Sequence, residues 1–150
     1  WLYEMTCLNL LEDITKEKGG IPFPNKVSFI SQNWKKYPAL IQDSTLVTKI
    51  IDIEKTINGR TYYYIPKEKV LPFAGQIKTG DIILITTKKK GLDTAHVGIA
   101  IENEGQIYLL HASISDKKVS VTTETLPDYL QRITSHSGIM IGRLINFKSN

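Results

Sequence analysis

Apolar positions change their period as the chain proceeds. Between Trp1 and Lys18, Leu2, Met5, Leu8 and then Cys7, Leu10, Leu11 and Ile14 recur at three- and four-residue spacings, which predicts a helix. Gly19-Gly20 ends it, and Ile21-Pro22-Phe23-Pro24 is extended because each proline pushes its predecessor out of helical geometry. Val27–Trp34 and Lys36–Gln42 predict short helical pieces around Pro38, a wrapping arm rather than a regular layer. From Leu46 the residues become β-branched. Leu46–Ile57 predicts a strand, Asn58-Gly59 a hairpin turn and Arg60–Ile65 the returning strand. Lys67–Ile77 predicts a short helix or irregular link interrupted by Pro72, and Lys78–Asp81 a turn. Strands follow at Asp81–Thr87, His96–Glu102, Ile107–Ala112 and Val119–Thr122. Leu126–Ile133 predicts a helix with Pro127 in its first turn, and Ile139–Leu144 a last strand. Helices followed by an antiparallel sheet predict an α+β fold, with residues 1–150 as a single domain.

Composition narrows the classes. With 41% hydrophobic and 23% charged residues, the chain is too apolar to be disordered as a whole. No apolar run approaches the roughly 20 residues of a membrane span. One cysteine, Cys7, allows neither an internal disulfide nor a cysteine-based zinc site. The three histidines, His96, His111 and His136, lack HExxH spacing, so the pattern predicts no metal site. The net charge of +4 comes from scattered lysines, which does not predict a nucleic-acid partner, and Lys88-Lys89-Lys90 reads as a solvated loop tip. The chain starts at Trp1 with no signal peptide, the expectation for a processed, trimmed or partial chain. Oligomeric state is left open.

Chemistry concentrates between Gly80 and Ser113. In His96-Val97-Gly98-Ile99-Ala100-Ile101, alternation puts Val97, Ile99 and Ile101 on a packing face and His96, Gly98 and Ala100 on the other. A histidine thus sits on a face cleared of bulk. If the turn between Glu104 and Gly105 has even length, Gly98 opposes His111 and His96 becomes the diagonal neighbour of His111. Two readings stay open: a general base with its orienting partner, or two structural histidines in a half-buried hairpin. Thr6 could cap a helix that lowers the Cys7 thiol pKa, yet Cys7 shares the spacing of Leu10, Leu11 and Ile14 and reads as a small core residue. Tyr62-Tyr63-Tyr64 reads as packing or a sugar platform, Asp93 as a turn residue or a group at the site entrance, and His136 as exposed loop. Arg143 is a weak candidate for pairing a substrate carboxylate.

The Gly80-Asp81 turn, the His96-Val97-Gly98-Ile99 strand and the Leu110-His111-Ala112-Ser113 strand resemble the NlpC-type cysteine peptidase superfamily. Asp13–Lys16, Gly19–Pro24, Gly91-Leu92-Asp93, Leu126–Leu130 and Gly138-Ile139-Met140 resemble its bacterial N-acetylmuramoyl-L-alanine amidase-like branch. The resemblance implies a papain-like α+β fold, His96 as catalytic base, His111 as the residue orienting it, and no cofactor. It implies hydrolysis of the N-acetylmuramoyl–L-alanine amide in peptidoglycan fragments, in the cell envelope or periplasm of a bacterium. The family's Asp-Cys nucleophile motif is missing, as if the N-terminal part of the domain were absent. The alternatives are a γ-D-glutamyl–diamino acid endopeptidase of the same superfamily and a catalytically inactive muropeptide-binding module.

Overall fold

Asn9 ends the first helix well before the apolar spacing does. In the computed structural model, which describes residues 1–24, 26–115 and 117–145, α1 spans only Leu2–Cys7. Asn9 takes a φ of 55°. Its N–H donates to the Thr6 carbonyl at 3.1 Å and that of Leu10 to the Met5 carbonyl at 3.0 Å. This left-handed closure satisfies the last helical carbonyls and turns the chain back. Leu11–Asp13 then forms β1, not the second half of a helix, and pairs with Gly142–Leu144 of the last strand.

The arm that follows holds β2 (Ile21–Pro22), α2 (Phe29–Gln32) and α3 (Pro38–Gln42). The expected strand at Leu46–Ile57 is instead the longest helix among the described residues, α4 (Thr45–Asn58). Leu46, Val47, Ile50, Glu54 and Ile57 form its covered face, a helical spacing that outweighs β-branched propensity. Asn58-Gly59 therefore closes a helix and makes no hairpin. The Asn58 side chain accepts from the Val27 N–H at 2.7 Å and donates to the Val27 carbonyl at 2.8 Å, bracing the arm.

The remaining elements alternate around one sheet: β3 (Tyr63–Pro66), α5 (Lys67–Phe73), β4 (Ile82–Thr87), β5 (Thr94–Asn103), β6 (Gln106–Ser113), β7 (Lys118–Val121), α6 (Leu126–Arg132) and β8 (His136–Leu144). Strand order is β2-β3-β8-β4-β5-β6-β7, with β1 also on β8 and every pairing antiparallel. One face carries Ile83, Ile85, Ala100, Leu109, Ile139 and Ile141, closed over by Val70 of α5 and Leu126 and Leu130 of α6. The other face is covered only near β4 and β8, where Leu84 and Met140 pack under Leu2 and Leu11. Farther along, Val97 and Ile99 remain 48% and 39% exposed, and Val119 and Val121 69% and 46%. The face expected to pack is thus the open one. Gly98 and Ala100 point into the core, because α5 and α6 lie on their side.

Candidate active site

A two-residue turn sets the parity of the histidine hairpin. Glu104 and Gly105 both have positive φ, 52° and 77°, and Asn103 pairs with Gln106. Positive φ at both central positions matches the right-handed twist of the flanking strands. The even turn puts Ile99 opposite Leu110 and carries His96 and His111 to one face. His96 Nε2 lies 2.7 Å from His111 Nδ1, with the rings perpendicular and their centroids 4.9 Å apart. They meet across Gly98. A Cβ there would sit 2.6 Å from the Leu109 side chain and 2.8 Å from the Leu110 carbonyl oxygen, so the position has no room for a side chain. Burial lowers the His96 pKa, and the neighbouring His111 charge lowers it further. The 2.7 Å contact requires one ring nitrogen to donate and the other to accept, so the two imidazoles share a single N–H.

The pair opens into a cavity of about 920 Å³ whose walls include Ser113, Ser120, Tyr129, Arg132 and His136. His136 is the surprise: expected on an exposed loop, it is a strand residue only 5% exposed. The cause is a bulge. Thr86 pairs with Gly138 and Thr87 with His136, so Ser137 is the extra residue, its Oγ 2.7 Å from Thr86 Oγ1. One inserted residue reverses the alternation beyond it. His136 thereby shares the face of Ile139, His96 and His111. The ring of Tyr129 lies 5.5 Å from that of His111 and 5.7 Å from that of His136, linking all three histidines in one row. The His136 pKa falls from 6.5 to about 4, chiefly by burial and then by the charges of His96, Lys67 and Arg132. Its Nδ1 is buried without a partner. Among the described residues no group of three or more His, Cys, Asp or Glu is arranged to hold a metal ion.

Cys7, the chain's single cysteine, is on the wrong side of the sheet. Its helix packs through Leu2 on the Leu84–Met140 face, opposite His96. Nor is it the core residue its spacing predicts, because α1 stops there and leaves the thiol exposed.

Comparison with known proteins adds a family. Residues 1–139 match the AmiA-like family model, described as N-acetylmuramoyl-L-alanine amidase-like. The chain belongs to this family. An N-acetylmuramoyl-L-alanine amidase from Bacteroides uniformis superposes with a TM-score of 0.88 at 33% identity, covering 97% of this chain and 63% of the relative. A Bacteroides fragilis protein provisionally named a xylanase superposes at 0.86 with 35% identity, covering 96% and 63%. A Legionella pneumophila protein shares the fold at 22% identity and a TM-score of 0.64. The chain thus spans less than two thirds of the length of these relatives. No curated protein matches it.

The other candidates of this AmiA-like chain lie outside the histidine cavity. The Asp93 carboxylate accepts from the Thr94 N–H at 2.7 Å, which is turn chemistry, and its residue lines two small pockets under the opposite face. Tyr62 and Tyr64 pack against the Leu84–Met140 cluster, and Tyr63 receives Lys16 over its ring at 5.1 Å. Arg143 is committed to Asp81 rather than open to a substrate. In the lysine run, the Lys89 ammonium rests 4.2 Å from the Phe29 ring centroid, while all three lysines stay exposed.

Proposed function

We propose that this chain carries the base and orienting residue of a cysteine-dependent amidase that cleaves the N-acetylmuramoyl–L-alanine bond of peptidoglycan fragments. The 2.7 Å contact between His96 Nε2 and His111 Nδ1 at the cavity wall is the observation that carries this reading, and membership of an amidase-like family supports its substrate. With Nε2–H donated to His111, Nδ1 of His96 is the nitrogen that takes a proton, and His111 fixes its tautomer. The thiol comes from a cysteine outside this chain. Deprotonated toward His96, it attacks the lactyl carbonyl carbon. The C–N bond breaks as His96 returns the proton to the departing L-alanine nitrogen, and water then hydrolyses the thioester. The fold is read as papain-like and NlpC-type, and the workplace as the bacterial cell envelope, both on the family resemblance.

A second reading, an inactive muropeptide-binding module, draws on the placement of the single cysteine across the sheet from His96. Mass spectrometry of N-acetylmuramoyl-L-alanyl-γ-D-glutamyl-diaminopimelate incubated with the complete protein separates the two. Release of intact peptide, abolished by His96→Ala, is the expected result. Turnover that survives His96→Ala overturns the assignment of the base. A cut after the γ-D-glutamyl unit assigns the endopeptidase specificity, and binding without any cleavage assigns the binding module.

A further inference from the structure

His136 is a polar side chain that the proposed mechanism leaves unused, and the fold does not use it either. It is 5% exposed, packs its ring against Tyr129, and leaves Nδ1 buried with no partner. Buried polar atoms are almost always satisfied, so an unsatisfied one calls for a reason. Structure alone supplies none: a leucine or phenylalanine would fill the same space without the unpaired nitrogen. The position is also contrived. Only the extra residue Ser137 in β8 brings His136 onto the face of the His96–His111 pair, and through it onto the wall of the same 920 Å³ cavity. Gly138 is part of that device, since a Cβ there would collide with the Ile65 carbonyl oxygen.

We propose that His136 is a substrate-binding residue, which turns its Nε2–H edge to the cavity and donates to an amide carbonyl oxygen of the bound peptide. This rests on the reading of the cavity as a muropeptide site. With Nδ1 closed off inside the fold, Nε2 is the nitrogen left for a ligand. The cations around the ring, Lys67 and Arg132, together with His96, oppose a second positive charge on it. An uncharged donor suits a carbonyl oxygen, whereas a carboxylate of the peptide falls to Lys118 on the cavity wall, because Arg132 beside it is already paired with Glu124 at 2.7 Å.

The test is imidazole ¹⁵N NMR of the 150-residue chain titrated with N-acetylmuramoyl-L-alanyl-γ-D-glutamyl-diaminopimelate, alongside His136→Leu and His136→Gln. The expected result is a shift of the His136 Nε2 signal together with that of His96. His136→Leu then weakens binding about tenfold, the loss of one hydrogen bond, with its thermal midpoint unchanged or raised. His136→Gln, which keeps an N–H at a similar reach, restores most of the affinity. A purely structural histidine gives the reverse pattern, a lowered midpoint with unchanged affinity, and that overturns the inference. It is also overturned if His96 shifts while the His136 signal stays still, which leaves the muropeptide reading intact. If neither signal moves at saturating ligand, both readings fall.

Discussion

Arg143 grips Asp81 with two N–H donors, Nε to Oδ1 and Nη2 to Oδ2, each at 2.7 Å. Asp81 is almost wholly buried before β4 and also accepts the Lys78 N–H at 2.9 Å. The pair joins the entry of β4 to the far end of β8, the two central strands of the sheet. Removing the guanidinium strands a buried carboxylate. Arg143→Leu should therefore lose about 3 kcal/mol of stability, measured by urea unfolding, and the double variant with Asp81→Asn should regain a large part. A loss under about 0.5 kcal/mol would show the pair to be surface-like.

Gly98 separates the catalytic candidates by offering nothing between them. Gly98→Ala places its methyl against the Leu110 carbonyl, which is backbone and cannot rotate away. We expect destabilisation of about 1–3 kcal/mol and loss of the His96–His111 contact, read by thermal unfolding and by imidazole NMR. An unperturbed imidazole spectrum in a folded Gly98→Ala chain would contradict this account of the pair.

His136 and His96 make the fold sensitive to mild acid. Both pKa values are depressed in the folded chain, by burial first and then by facing charges: His111 beside His96, and His96, Lys67 and Arg132 around His136. Unfolded histidines bind protons near pH 6.5, whereas folded His136 does so only near 4. The unfolded state therefore holds more protons between these values, and stability falls as pH is lowered through that window. Urea midpoints measured from pH 7 to pH 4 should decline, and His136→Leu should flatten the decline. Equal slopes in the two proteins would refute the assignment.

Cys7 is predicted to be dispensable. It is exposed and across the sheet from His96. Cys7→Ala should leave turnover by the complete protein unchanged and shift stability by no more than about 0.5 kcal/mol. Loss of turnover in this variant would place the nucleophile in α1 and rule out the site as described.

The histidine hairpin was readable from the sequence because period-2 alternation and an even turn are local. Gly105 after Glu104 offered the positive φ that fixes the parity of His96 and His111. Three other features were not local. Asn9 adopted a left-handed conformation that no apolar spacing announces, and so cut the first helix to α1. In α4, tertiary packing of Leu46, Val47, Ile50 and Ile57 overrode a β-branched composition that favours a strand. Alternation in β5 identified two faces correctly but not which one α5 and α6 would cover, so Val97 and Ile99 came out exposed. His136 was missed for a similar reason. Strand residues can be counted only when the register is known, and Gly138, the residue-type signal of irregularity here, does not say that Ser137 is the extra residue.

That bulge makes the third histidine a matter of arithmetic rather than of identity. Deleting Ser137 would remove the bulge and leave His136 opposite Thr87 on the same face, whereas drawing Ser137 into the regular ladder would keep every residue and turn the ring of His136 toward the side where Met140 and Leu84 lie. Among relatives, then, a histidine two residues before the glycine at position 138 enters this cavity only across a bulge, whereas one directly before that glycine enters it along a regular strand.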